Sequence, residues 1–95
     1  MNAVKSSERY LSEAVARLLR RYRQEAGIKQ EDVAGSLRKP QSYVSKVESG
    51  ERRVDLVELI QLLRLYRRSL VEFETELKRF IGAESGGEEE RPGAA

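Results

Sequence analysis

The sequence contains neither cysteine nor histidine, and these two absences exclude several functions. Without cysteine the chain has no disulfide and no thiol nucleophile, which fits a reducing compartment. It also lacks the usual ligands of a zinc site, and without histidine it lacks the commonest general base. No glycine-rich phosphate loop is present either. We therefore expect that the protein is not an enzyme, binds no metal and uses no cofactor.

Long apolar runs are also missing. No run approaches the ~20 residues that a membrane-spanning helix needs. The opening stretch, MNAVKSSERY, lacks the apolar core of a signal peptide. We expect no membrane segment and a cytoplasmic location.

Charge is unevenly distributed along the chain. The net charge is +2, but residues 84–95 carry −3, so the remaining 83 residues carry +5. A basic body suggests an anionic partner such as nucleic acid. A well-solvated surface without such a partner is the alternative that charge alone leaves open.

The first third of the chain has the apolar spacing of a long amphipathic helix. Ser6 or Ser7 can cap its start, and Gly27 marks its end. The expected buried stripe of this helix is Leu11, Ala14, Val15, Leu18, Leu19 and Tyr22.

Residues 30–50, QEDVAGSLRKPQSYVSKVESG, predict two short helices with a sharp break between them. The first covers about 30–37. The second begins at Pro40 or Gln41, since proline is tolerated in a first turn, and ends before Gly50. The expected inward-facing residues are Val33, Ala34, Leu37, Val44 and Val47. Isolated helices this short are marginal in water, so we expect a shared core to hold them, as in a helix-turn-helix over 30–49.

Two capping boxes mark the last two helices. Asp55 precedes a fourth helix, with Glu58 three residues further on. Ser69 and Glu72 repeat the pattern before a fifth helix, which Gly82 is expected to end. The expected apolar residues are Leu56, Leu59, Ile60, Leu62 and Leu63 in the fourth helix, and Leu70, Phe73, Leu77, Phe80 and Ile81 in the fifth.

The expected fold class is all-α, with a single domain. Residues 1–6 are expected to form an N-terminal arm and 7–82 a compact five-helix domain. Residues 83–95, rich in glycine, glutamate, proline and alanine, are expected to form a disordered acidic tail.

Three segments, GIKQEDVAGSL, QSYVSKVESGER and VDLVELIQLL, carry a resemblance to a known family. Over roughly residues 11–80 the chain resembles the XRE-type branch of the lambda-repressor/Cro superfamily. This resemblance implies a lambda-repressor-like fold whose second short helix enters the major groove of double-stranded DNA. The departures from the family pattern are Arg38 and Arg67 in place of glycines, Lys39 in place of an apolar turn residue, and Lys29 in place of a capping threonine.

The resemblance also implies two sets of DNA contacts. The residues implied to face base edges are Gln41, Ser42, Ser45 and Lys46. The residues implied to reach phosphates are Gln30, Lys39, Tyr43, Arg52 and Arg53. Tyr43 could equally cover the edge of the core, and for the cations an exposed side chain without a ligand is the alternative. Glu48 is interpreted as the structural partner of an arginine in the body.

The fifth helix is also a candidate dimer element, over 70–81. The spacing 70, 73, 77, 80 alternates threes and fours, as a helix–helix seam does. The expected homodimer interface is Leu77, Phe80 and Ile81. The alternative is that these residues fold back on the first helix, at Tyr10 and Leu11.

The function expected from these features is a sequence-specific transcriptional regulator, a repressor that binds a palindromic operator as a homodimer. Two alternatives stay open. One is an antitoxin that regulates its own promoter and holds a toxin, which a neighbouring toxin gene would favour. The other is a protein–protein transcriptional adaptor, which DNA binding insensitive to substitution of Gln41 or Lys46 would favour.

Overall fold

The computed structural model describes residues 3–84, which form five α-helices and no strand. In chain order the helices are α1 (Ala3–Ala26), α2 (Gln30–Leu37), α3 (Gln41–Ser49), α4 (Leu56–Leu65) and α5 (Leu70–Glu84). The predicted all-α architecture of five helices is confirmed. Within this part of the chain, no helix combines the length and apolar character that crossing a membrane requires.

The helix boundaries differ from the prediction at the two outer ends. α1 begins at Ala3, so the predicted start at Ser6 or Ser7 was wrong, and the predicted arm over 1–6 is helical from Ala3 onward. Alanine and lysine favour helix, and this stretch holds no glycine or proline to stop it. α5 was predicted to end at Gly82, but it continues to Glu84. Gly82 does not adopt the left-handed conformation that ends a helix. The rest of the predicted tail, 85–95, lies outside the described residues.

Both predicted capping boxes form. The Glu58 backbone N–H donates to the Asp55 side chain at 2.8 Å, and the Asp55 N–H donates to the Glu58 carboxylate at 2.9 Å. The Glu72 N–H donates to the Ser69 hydroxyl at 3.0 Å, and the Ser69 N–H donates to the Glu72 carboxylate at 2.8 Å. Each pair satisfies two backbone donors that a helix start would otherwise leave unpaired. These boxes fix where α4 and α5 begin.

Two arginines occupy backbone positions that usually suit glycine. Arg38, after α2, has φ 58°, and Arg67, after α4, has φ 59°. Each costs on the order of 1 kcal/mol relative to glycine. At both positions the arginine stands where the family pattern has a glycine, and the chain keeps the left-handed conformation there. Lys29 precedes α2 without a side-chain capping bond, as its replacement of a threonine predicted.

One apolar core joins all five helices. Its buried members are Leu18, Leu19, Tyr22, Val33, Ala34, Tyr43, Val44, Val47, Leu62, Leu63, Tyr66 and Phe73. The rings of Tyr22 and Phe73 meet edge to face, with centroids 6.3 Å apart, and so join α1 to α5. Leu56 and Leu70 were predicted to face this core, but they are 61% and 43% exposed. Both occupy the first position of a helix, before the chain has turned inward.

The second half of α5 packs against α1 of the same chain. Leu77 is partly buried against the core, and the Arg17 guanidinium lies 6.0 Å from the centre of the Phe80 ring. The Tyr10 hydroxyl donates to the Ile81 carbonyl at 3.3 Å. The predicted homodimer seam of Leu77, Phe80 and Ile81 is therefore not an exposed stripe. These contacts agree with the intrachain alternative, and the homodimer interface stays a prediction.

The hydroxyl of Tyr22 makes the domain sensitive to alkaline pH. Burial, assisted by the Glu76 carboxylate 3.3 Å away, raises the pKa of Tyr22 to about 12 from 10.0. The folded protein therefore keeps a proton that the unfolded chain releases. The free energy of unfolding is expected to decrease as pH rises from about 10 to about 12. Burial shifts the pKa of Tyr66 upward as well.

Urea denaturation across this pH range measures the effect. The variant Tyr22→Phe keeps the ring but has no proton to release. Its free energy of unfolding should depend less steeply on pH than that of the wild type. Equal slopes in the two proteins would contradict the raised pKa of Tyr22.

Candidate nucleic-acid interface

One face of α3 is polar and open to solvent. Its exposed residues are Gln41, Ser42, Ser45 and Lys46. The opposite face is buried through Tyr43, Val44 and Val47. Positions 41, 42, 45 and 46 lie one helical turn apart in pairs, so their side chains share one surface. The structure thus brings together all four residues that the sequence predicted as base readers.

A three-residue turn sets the direction of α3 relative to α2. The Arg38 N–H donates to the Gly35 carbonyl at 3.1 Å, and the Lys39 N–H donates to the Ala34 carbonyl at 2.9 Å. These two bonds close the end of α2 around the left-handed Arg38. Pro40 then precedes α3, and the Tyr43 N–H donates to its carbonyl at 2.9 Å. The turn is closed by backbone bonds, so α3 projects in one fixed orientation.

An ion pair joins α3 to α1. Arg23 Nε donates to Glu48 Oε2 at 2.6 Å, and Arg23 Nη2 donates to Oε1 at 3.1 Å. The two side chains are only 13% and 5% exposed. Arg23 Nη1 also donates to the Ile28 carbonyl at 2.8 Å, which ties the end of α1 into the pair. The interpretation of Glu48 as the partner of a body arginine is confirmed, and its bond raises the pKa of Arg23.

Gln30 connects this ion pair to the exposed face of α3. Its amide nitrogen donates to Glu48 Oε1 at 3.0 Å, and its carbonyl oxygen accepts from Gln41 Nε2 at 3.3 Å. Gln30 therefore links the two residues within the protein, and its predicted phosphate contact stays a prediction for the second amide N–H. The bond between Gln41 and Gln30 uses one of the two amide N–H groups of Gln41. The other N–H and the carbonyl oxygen of Gln41 can still pair with adenine N7 and N6.

Tyr43 lies in the core and not at a phosphate. The residue is 6% exposed, and its hydroxyl is buried without a hydrogen-bond partner among the described residues. Burial also raises the pKa of this hydroxyl. A buried oxygen cannot reach DNA without a rearrangement, so the phosphate role predicted for Tyr43 is corrected to packing at the core edge. Packing at the core edge was the alternative that the sequence analysis left open for Tyr43.

Two cations lie against the Tyr43 ring. Lys39 Nζ is 4.9 Å from the ring centroid, and the Arg52 guanidinium carbon is 4.7 Å from it. Arg52 also donates to both carboxylate oxygens of Glu58, each at 3.1 Å. We refer to Lys39, Tyr43, Arg52 and Glu58 as the rim cluster. It borders the exposed face of α3 at the side of the turn and the α3–α4 loop.

Arg53 differs from its neighbour Arg52. Its side chain is 67% exposed and lies 3.5 Å from a carboxylate oxygen of Glu8, which is also exposed. Exposed pairs of this kind contribute little to stability. Arg53 can therefore turn to a phosphate at small cost, whereas Arg52 must share its guanidinium with Glu58.

Sequence reasoning missed the second role of Glu58. Its spacing from Asp55 identifies the capping box, and that role already accounts for the residue. In the structure the same carboxylate also accepts from Arg52, which lowers the pKa of Glu58. Six residues separate it from Arg52 across a helix start. No local pattern signals a contact of this kind.

These features define a helix-turn-helix protein: two short helices joined by a tight turn, with a polar face exposed on the second. A family model described as a helix-turn-helix domain matches residues 14–75, about two thirds of the chain. The chain therefore belongs to the helix-turn-helix domain family. The match agrees with the XRE-type resemblance and points to a DNA-binding regulator. The searches of curated proteins and of solved structures found no match.

Proposed function

We propose that this protein is a transcriptional repressor that binds a palindromic operator in double-stranded DNA as a homodimer. The observation that carries the proposal is the exposed face of α3 with Gln41, Ser42, Ser45 and Lys46. Polar side chains on a helix that projects from a tight turn match the major groove in shape and in hydrogen-bonding groups.

Each residue of that face has a role that fits its chemistry. Gln41 pairs with adenine through its carbonyl oxygen and remaining N–H, while Gln30 holds its amide in place. Lys46 donates to guanine O6 and N7, or to a phosphate. Ser42 and Ser45 are short enough to let the helix backbone approach the bases, and their hydroxyls accept or donate.

Phosphate contacts come from the cations that border α3. Arg53 is exposed in the α3–α4 loop, and Lys39 and Arg52 lie at the rim cluster. Phosphate contacts position the protein and supply the affinity that all sequences share. The +5 charge of residues 1–83 supports this arrangement.

The proposal of a homodimer rests on the small size of the DNA interface that one domain offers. A single module of this kind buries about 600–1,000 Å² of protein surface on DNA. A pair of modules doubles the contacts and specifies a two-fold operator. Sedimentation of the protein with and without operator DNA measures the stoichiometry.

Substitution of Gln41 by alanine is expected to weaken binding to the preferred site by ~1–3 kcal/mol and to relax the preference at one base pair. The reason is that alanine removes the two hydrogen bonds to adenine and leaves the fold intact. Titration of duplexes that differ at single base pairs measures both effects.

The matched control for that experiment is Gln61→Ala, which removes the same side chain from an exposed position of α4. It should bind every duplex as the wild type does. An equal loss on all sequences in Gln41→Ala would show that Gln41 does not read a base.

Substitution of Arg53 by alanine is expected to weaken binding to all sequences by a similar factor. The dependence of log K on log salt should flatten by about one unit, since one phosphate contact is lost. Binding isotherms at four or more salt concentrations give this slope.

Arg79→Ala serves as the control for Arg53, because it removes an equal charge from an exposed position on α5. Its slope should stay close to that of the wild type. An unchanged slope in Arg53→Ala would remove Arg53 from the phosphate contacts.

A further inference from the structure

Glu58 is the one acidic side chain of the rim cluster, and it contacts both cations. Its Oε2 lies 3.1 Å from Arg52 Nη2 and 3.8 Å from Lys39 Nζ. The Glu58 side chain is only 12% exposed, whereas the Lys39 and Arg52 side chains are 34% and 41% exposed. The anion therefore sits beneath the two cations, on the protein side.

The cations are held from a second direction by Tyr43. Both lie over its ring, at 4.9 and 4.7 Å from the centroid. The ring positions Lys39 and Arg52 beside α3 through cation–π attraction, which does not neutralise their charge. Glu58 is the group in the cluster that does neutralise charge.

This arrangement reduces what Arg52 can contribute to DNA binding. A cation releases counterions from DNA in proportion to the charge that it brings to the phosphates. Arg52 is already paired with a carboxylate through two charge-assisted hydrogen bonds. A phosphate that approaches Arg52 must compete with that carboxylate and is repelled by it.

We propose that Glu58 limits the affinity of this protein for the DNA backbone, by acting as an internal anion that competes with phosphate for Arg52 and Lys39. The inference rests on the proposed function, because it concerns the strength of the same interface. Glu58 acts through the two cations and is a positioning residue, not a DNA contact. Glu58 is expected to lower the affinity for all DNA sequences equally and to leave the base preference unchanged.

Glu58 also caps α4, so the charge must be removed without loss of the cap. The variant Glu58→Gln keeps a carbonyl oxygen that can accept from the Asp55 N–H, and glutamine suits this position of a capping box. Circular dichroism melting establishes that the variant folds. An effect on DNA binding can then be assigned to the charge.

The expected result for Glu58→Gln is binding about fivefold tighter on every duplex at about 0.1 M salt. The plot of log K against log salt should become steeper by up to ~0.9, the contribution of one added phosphate contact. The control Glu74→Gln removes the same charge from an exposed position on α5, where the carboxylate pairs with Lys78. Its affinity and slope should stay near those of the wild type.

A second experiment tests whether Glu58 acts through Arg52. It compares Arg52→Gln with the double variant that also carries Glu58→Gln. Arg52→Gln alone removes the stronger cation partner of the carboxylate and leaves it with Lys39 at 3.8 Å, so binding should weaken by about tenfold. Addition of Glu58→Gln should recover most of that loss, as expected for two residues that act as one unit. A purely structural role for Glu58 would make the double variant worse than Arg52→Gln.

Two outcomes would overturn the inference. One is a folded Glu58→Gln variant with an unchanged salt slope or with weaker binding. The other is a double variant that recovers none of the affinity lost in Arg52→Gln. A wild-type protein that binds no DNA would instead overturn the proposed function, and that result requires no variant.

Discussion

Replacement of Glu48 by alanine is expected to lower the free energy of unfolding by about 3–5 kcal/mol. The change leaves Arg23 without its carboxylate partner in a site where the arginine side chain is only 13% exposed. It also deprives the Gln30 amide of its acceptor. Domains of this size are stable by about 5–15 kcal/mol, so the variant should be partly unfolded at modest urea concentrations.

Urea denaturation followed by circular dichroism measures this loss. Glu51→Ala, which removes an exposed carboxylate two residues after α3, should change stability by less than about 0.5 kcal/mol. Arg23→Met combined with Glu48→Met should recover much of the loss, because apolar side chains leave no unpaired charge. A loss below about 1 kcal/mol in Glu48→Ala would contradict the buried character of the pair.

Replacement of Leu77 and Phe80 by asparagine is expected to destabilise the folded domain by roughly 2–4 kcal/mol. Leu77 packs on the core and Phe80 lies under Arg17 of α1, so polar side chains at both positions separate α5 from α1. Thermal melting detects the loss, and sedimentation reports the oligomeric state in the same samples.

The matched control places asparagine at Leu70 and Val71, which are exposed on the same helix. It makes two polar substitutions in α5 and should leave the melting temperature nearly unchanged. A Leu77 and Phe80 variant that keeps wild-type stability but becomes monomeric would show that the predicted dimer seam is correct and that packing on α1 matters little.

Local signals explain why much of the fold could be predicted. Asp55 with Glu58 and Ser69 with Glu72 each bring donor and acceptor within one helical turn, so spacing alone identifies the helix starts. Gly50 ends α3 in a left-handed conformation for the same local reason. The exposed face of α3 follows from helical periodicity, because its apolar residues must turn inward.

Contacts between distant side chains could not be predicted in the same way. The bond of Gln30 to Glu48 was not predicted, because it forms only where α2 and α3 meet at the turn. From its helix position Tyr43 can contact either DNA or the core, and its packing in the core cluster with a buried hydroxyl is what the structure shows. These outcomes depend on how helices pack, which periodicity does not specify.

The spacing within α5 illustrates an ambiguity of another kind. Steps of three and four residues describe any helix that buries one face, whether the partner is a second copy or the same chain. The N-terminal half of α1 supplies the covering surface here, and α1 begins earlier than its capping signals suggested. The residues of α1 that contact the end of α5 are Tyr10 and Arg17, which lie within the helix that the sequence predicted.

Selection of bound duplexes from a random-sequence library is the most direct test of the claim that α3 reads DNA bases. With the full chain, we expect one enriched motif with two-fold symmetry and half-sites about one helical turn (~34 Å) apart. Gln41→Ala should lose the preference at one base pair of each half-site, and Gln61→Ala should keep it. Enrichment of no motif, or of the same motif by Gln41→Ala, would contradict the claim.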